Sequence, residues 1–129
     1  MNSSVNHIDL PYVTISFNDP IVSFVYKEGA ELGFPEIKEL IAHAEQLSGG
    51  KPYVTLNYVK VNLNITNEGK RYVSNTDNMP FFRGTAAIVK NSFYQFAANF
   101  AQNYHSTKYP FKAFTSEEKA ITWLMTLPL

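Results

Sequence analysis

Two short runs near the start of the chain mix β-branched and aromatic residues with polar ones in partial alternation, the pattern of strands packed on one face. They are Tyr12-Val-Thr-Ile-Ser-Phe17 and Ile21-Val-Ser-Phe-Val-Tyr26. Asn18-Asp19-Pro20 between them has turn chemistry, so the pair predicts an antiparallel hairpin. Lys27 to Gly33 reads as a polar loop with two glycines. The period then changes. Ile37, Leu40, Ile41, Ala44 and Leu47 recur every three or four residues and place one apolar stripe along a helix. Pro35 suits its first turn, where the missing N–H costs nothing, and Gly49-Gly50 suits its end.

Tyr53 to Val59 predicts a third strand, which the alternation from Lys60 to Asn64 extends. Thr66 or Asn64 is placed to cap a short helix over 67–74, with Tyr72 and Val73 facing inward. Gly69 weakens that helix by up to ~1 kcal/mol against alanine. Ser74 to Asn78 is a loop by composition, and Gly84 to Lys90 is a small-residue strand of the kind buried on both faces. Ser92 is placed to cap a long helix carrying Phe93, Phe96, Ala97, Phe100, Ala101 and Tyr104 at helical spacing. Pro110 to Phe114 predicts the fifth strand. Thr115 to Glu118 has the capping-box pattern and opens a last helix with Ala120, Ile121, Leu124 and Leu127 in its stripe, Trp123 beside it and Pro128 ending it.

The order β-β-α-β-α-β-α-β-α predicts an α/β domain: a five-stranded mixed, mainly parallel sheet, an N-terminal antiparallel hairpin and four helices. Residues 1–129 are expected to form one domain, with 1–9 a flexible N-terminus. The chain is 45% hydrophobic and 15% aromatic, which supplies a core and argues against disorder. Eleven basic and eleven acidic residues leave no net charge, so the basic surplus of a nucleic-acid binder is missing. With no cysteine, disulfides, thiolate metal sites and cysteine nucleophiles are excluded. The polar start lacks a signal-peptide pattern and no run approaches the ~20 apolar residues of a membrane span, so the expectation is a cytoplasmic protein without a transmembrane segment.

The second half carries a resemblance. A strand is followed by a short helix with Lys70-Arg71-Tyr72, the strand Thr85 to Lys90, a helix with Ala98-Asn99-Phe100, and then Pro110 to Leu124. This order, with Phe114, Ala120, Trp123 and Leu124 in the tail, resembles the SpoIIAA-like proteins of the STAS-related group. The resemblance covers most of the chain after the hairpin. It implies a SpoIIAA/STAS-like fold with helices mainly on one sheet face, and it implies no activity. STAS proteins that antagonise anti-sigma factors carry an Asp-Ser-Ser-Gly-like segment whose hydroxyl is phosphorylated. Here the matching stretch is Val61 to Gly69, in which Thr66 is the only hydroxyl and no Asp precedes it. Thr66 is therefore the one candidate phosphoswitch residue, in a segment that departs from the pattern.

Candidate chemistry is sparse. His7, His43 and His105 are not spaced as a metal pair, and there is neither a Gly-x-Ser-x-Gly elbow nor a glycine-rich phosphate loop. Glu117-Glu118 sits where a helix start favours acids. No catalytic, cofactor or metal residues are assigned, and the chain is expected not to be an enzyme. Met79-Pro-Phe-Phe82 is an apolar run in a polar loop, either an anchor to the core or an interface. Tyr94 lies off the apolar stripe of the long helix and is a candidate contact. The expected function is a non-catalytic protein-interaction or regulatory module that binds itself or another protein. A homodimer touching through Phe81 or Phe82 is the specific form of that expectation. The alternative is a small-molecule or lipid-like ligand in an apolar pocket between the long helix and the sheet.

Overall fold

The computed structural model describes residues 6–74, 79–92, 94, 95, 98 and 109–129. Its strands are β1 (His7–Asp9), β2 (Val13–Asn18), β3 (Ile21–Tyr26), β4 (Ala30–Leu32), β5 (Tyr53–Val59), β6 (Leu63–Ile65), β7 (Phe82–Val89) and β8 (Phe111–Phe114). Three helices have both ends described: α1 (Phe34–Ser48), α2 (Asn67–Ser74) and α3 (Glu117–Leu124). The main sheet runs β1-β2-β3-β5-β7-β8, antiparallel between β1, β2 and β3 and parallel beyond. A tight turn joins β2 to β3, whereas the later connections hold helical residues, which lets consecutive strands run in one direction. The mixed, mainly parallel sheet with an N-terminal antiparallel hairpin therefore stands, and β7 lies inside it between β5 and β8.

The main sheet has six strands, not five. His7–Asp9, expected as part of a flexible terminus, pairs with Thr14 to Ser16. Ile8 lies opposite Ile15 and packs on the core, while Lys27 Nζ stands 2.8 Å from Asp9 Oδ1 and donates to Leu10 O at 2.6 Å. Such ties are too few and too distant in sequence to show in a polar nine-residue start. The segment read as a polar loop also contains β4, which pairs in parallel with β6 in a separate two-stranded sheet.

Strand alternation divides the core in two. On one face Val13, Ile15, Val22, Phe24 and Tyr53 meet the α1 stripe of Ile37, Leu40, Ile41 and Ala44. On the other, Ile21, Val54, Leu56, Ala86, Ile88 and Phe114 meet Ala120 and Leu124 of α3. A register shift between Tyr53 and Thr55 lets both Phe82 and Thr85 of β7 follow the first face. Gly84 turns to the second, where Leu127 Cδ1 would lie 2.6 Å from a Cβ.

Helix starts follow cap chemistry, with small corrections. Gly33 is the N-cap of α1, its N–H donating to Glu36 Oε1 at 2.9 Å, and Gly49 ends the helix in the left-handed region at φ 64°. Thr66 caps α2, its Oγ1 accepting from the Gly69 N–H at 3.1 Å. The last helix is capped by Ser116, not Thr115: its hydroxyl accepts from the Lys119 N–H. The long helix expected from Ser92 to Tyr104 lies mostly outside the described residues. Of its length Ser92, Tyr94, Gln95 and Ala98 are helical. Its cap is Asn91 rather than Ser92, since Asn91 Oδ1 accepts from the Tyr94 N–H at 3.2 Å.

Candidate functional site

The expected interface run is divided: Pro80 is exposed, whereas Met79 and Phe82 turn inward. Met79 is 6% and Phe82 8% exposed, both within the core under α1, and Phe82 lies between Tyr53, tilted at a ring-centroid distance of 6.0 Å, and Tyr109, edge-on at 5.0 Å. Phe81 is half-buried against the same cluster. Met79 and Phe82 anchor the run, because their side chains gain more by entering the first-face core than by meeting water. Tyr94 is 49% exposed. The apolar pocket expected beside the long helix falls largely outside the described residues.

Two of the three histidines lie among the described residues. His7 is exposed on β1, and His105 lies outside the described residues. His43 stands on α1 with Nε2 4.0 Å from Glu39 Oε2 one turn earlier, and its Nδ1 is buried without a hydrogen-bond partner. Among the described residues no three His, Cys, Asp or Glu side chains are grouped to hold a metal ion.

The sequence reading missed a polar chain inside the sheet. Tyr26 Oη donates to Asn57 Oδ1 at 2.7 Å, Asn57 Nδ2 donates to Thr85 Oγ1 at 2.8 Å, and Thr55 Oγ1 lies 2.7 Å from Thr85 Oγ1. Burial holds the Tyr26 hydroxyl well above the ordinary phenol range, so no member changes charge near neutral pH. The chain ties β3, β5 and β7 in register and offers no acid or base.

Three further tyrosines strap helices to the sheet through carboxylates. Tyr12 donates to Glu39, Tyr53 to Glu45 at 2.7 Å, and Tyr58 to Glu117. Burial first, then the neighbouring carboxylate, raises all three hydroxyls above their ordinary value. Glu117, which pairs with Tyr58 from the first turn of α3, is thus a structural partner.

The surface most unlike a plain structural face lies where the small sheet ends. β4 leads through Gly33 into α1, and β6 leads through Thr66 into α2, so the pairing of Leu32 with Ile65 sets the two helix starts side by side. The Thr66 N–H donates to Leu32 O at 3.0 Å across the join. Phe34, in the first turn of α1, is 40% exposed and meets the Tyr72 ring edge-on at 4.9 Å. Lys38 Nζ lies 5.8 Å over the Phe34 ring. A shallow cavity of about 270 Å³ opens on the small sheet, lined by Gly29, Ala30, Glu31, Asn62, Leu63 and Asn64. The two triplets Ala30-Glu31-Leu32 and Leu63-Asn64-Ile65, each apolar-polar-apolar and each just before a helix cap, were the available signal.

Thr66, the candidate switch hydroxyl, is half-buried in this join. The point where a Cβ would stand on Gly33 lies 3.2 Å from Glu36 Oε1 and 3.7 Å from Thr66 Oγ1, so the carboxylate and the hydroxyl both flank Gly33.

A family model described as a domain of unknown function, DUF7793, matches residues 15–128. No curated protein matches. Among solved structures, the chain is similar to an uncharacterized protein from the DUF3478 family with a SpoIIAA-like fold, from Shewanella loihica PV-4. The two are 18% identical and superpose with a TM-score of 0.60 over 87% of this chain and 91% of that one. The likeness shows that the fold is SpoIIAA-like.

Proposed function

The chain belongs to the DUF7793 family, and we propose that it is a non-catalytic module that acts by binding another protein in a regulatory setting. The observation that carries this reading is exposed Phe34 at the joined starts of α1 and α2, with the half-buried Tyr72 ring of α2 edge-on against it. Phenylalanine and tyrosine are among the residue types enriched at the centres of protein interfaces, and the Lys38 stem beside Phe34 would form part of the polar rim. The two helix starts and the small sheet hold that pair on a rigid base, which lowers the ordering cost of binding.

The absence of an enzymatic role is part of the same proposal. It is supported by the uses already made of the polar groups: the interior chain from Tyr26 to Thr55 bonds to itself, and Glu39, Glu45 and Glu117 hold helices. The proposal also places the module in the cytoplasm, which fractionation of native cells tests directly.

The test of the binding role is the size of the protein's complex in extracts of its native cells. Phe34→Ser with Tyr72→Ser should shift the protein from a larger complex to the elution volume of the purified chain, with an unchanged circular dichroism spectrum. A folded double variant that stays in the larger complex would contradict this surface.

A further inference from the structure

We propose that β6 is an unfilled sheet edge that takes an extended peptide of a partner protein as a third strand, one alternating apolar and basic residues. The proposal rests on the interaction reading above and names the chemistry of the partner.

The small sheet pairs Ala30 with Leu63, Glu31 with Asn64 and Leu32 with Ile65. The bond from the Thr66 N–H to Leu32 O fixes which backbone groups face which way. In a parallel ladder the residues of one strand point their N–H and C=O alternately to the partner strand and away from it. Leu32 therefore bonds across to β6, while the Ala30 N–H turns to Lys27 O at 3.1 Å, and the backbone groups of Leu63 and Ile65 point out of the sheet on its other side. Among the described residues no strand pairs with that side.

Burial identifies β6 as the outer strand. Ala30 and Leu32 of β4 are 8% and 1% exposed, whereas Leu63 and Ile65 are only half-buried against the same core. Parallel sheets are ordinarily many-stranded and covered, so a two-stranded parallel sheet with an accessible edge is an incomplete one. An added strand gains affinity from main-chain bonds and selectivity from alternate side chains. Apolar side chains of the peptide would lie beside Leu63 and Ile65, and the intervening ones beside Asn62 and Asn64.

Charge selects the intervening residues. Glu31 is exposed next to Asn64 across the pair and lines the cavity, and exposed Glu28 accepts from the Asn62 N–H through Oε1 at 3.4 Å, so two carboxylates stand on this small sheet. The basic residues nearest in sequence are Lys27, whose Nζ pairs with Asp9, and Lys60, which precedes Asn62 on the connection from β5. The carboxylates favour lysine or arginine in the docked strand and disfavour acids.

Amide exchange of the full chain, followed by NMR, tests this with short peptides alternating valine with lysine or valine with glutamate. With the valine–lysine peptide at about ten times its Kd, exchange at Leu63 and Ile65 should slow about tenfold. Central amides such as Leu56 should not change, and the valine–glutamate peptide should bind more weakly. Glu28→Lys with Glu31→Lys, both at exposed positions, should reverse that preference while leaving the spectrum of the free protein otherwise intact. Leu63 and Ile65 amides already as slow as Leu56 without peptide would show an edge covered by the chain itself or by a second copy, and would overturn the proposal. So would absent protection, or a preference that charge reversal leaves unchanged. If instead the Phe34 and Tyr72 substitutions dissolve the native complex while the edge takes no peptide, only the strand docking fails.

Discussion

Gly69 of α2 lies against the carbonyl of Leu32: a Cβ at position 69 would come 2.8 Å from that oxygen and 3.3 Å from Ile37 Cγ1 and Ile65 Cγ2. The glycine that weakens α2 by its propensity is thus what lets the helix close onto β4, β6 and α1. Backbone cannot move aside as a side chain can. Gly69→Ala should lose about 1–2 kcal/mol in urea unfolding, since overpacking of ~1–3 kcal/mol outweighs the helix-propensity gain of up to ~1 kcal/mol. Gly84→Ala, whose Cβ meets the far end of the Leu127 side chain, should lose less. Equal losses would contradict the backbone contact as the cause.

Phe82 and Met79 should behave as core residues. Phe82→Ala should destabilise by about 3–5 kcal/mol and Met79→Ala by about 2–5 kcal/mol, a large part of the ~5–15 kcal/mol typical of a domain. Phe81→Ala, at a half-buried position, should cost less. Thermal unfolding ranks the three, and a near-neutral Phe82→Ala would reopen the surface reading of that run.

Alkaline pH should destabilise the protein through its partly and fully buried tyrosines. Tyr12, Tyr26, Tyr53 and Tyr58 hold their protons more tightly folded than unfolded, where tyrosine titrates near 10. A raised folded pKa gives stability that is full below about pH 10 and lost as the pH rises beyond it. The urea midpoint should therefore be flat across pH 8 to ~9.5 and fall steadily above. Tyr53→Phe, which removes one raised hydroxyl and its bond to Glu45, should make that fall shallower.

Thr66 should act as a cap and not as a switch. Thr66→Ala should cost about 1 kcal/mol and Thr66→Ser little, because only the hydroxyl that accepts from the Gly69 N–H matters. A phosphate there would flank Gly33 together with the Glu36 carboxylate and be repelled by it. Intact-mass and peptide analysis of the protein from its native cells should find Thr66 unmodified, and stoichiometric phosphate on it would overturn this account of the join.

The main sheet was legible because its signals are local. Strand alternation at Tyr12 to Tyr26, the α1 stripe and the Thr66 cap of α2 each lie within a few residues, and the α/β order followed from them. What escaped depends on distant partners. Ala30-Glu31-Leu32 is too short to read as a strand until Leu63-Asn64-Ile65 lies beside it, and His7–Asp9 becomes a strand only against Thr14 to Ser16. Met79 and Phe82 looked surplus to a polar loop because the α1 core that takes them lies some forty residues earlier. Exposure of Phe34 could not be read at all, since an aromatic next to a helix start packs or protrudes according to its neighbours.

Site-specific photo-cross-linking in native cells tests the central claim most directly. A benzophenone side chain in place of Phe34 should give a discrete covalent adduct with another protein, and the same side chain in place of exposed Thr122 on α3 should give far less. Equal adduct yields at the two positions, or an adduct at Thr122 alone, would contradict a binding surface at the joined starts of α1 and α2.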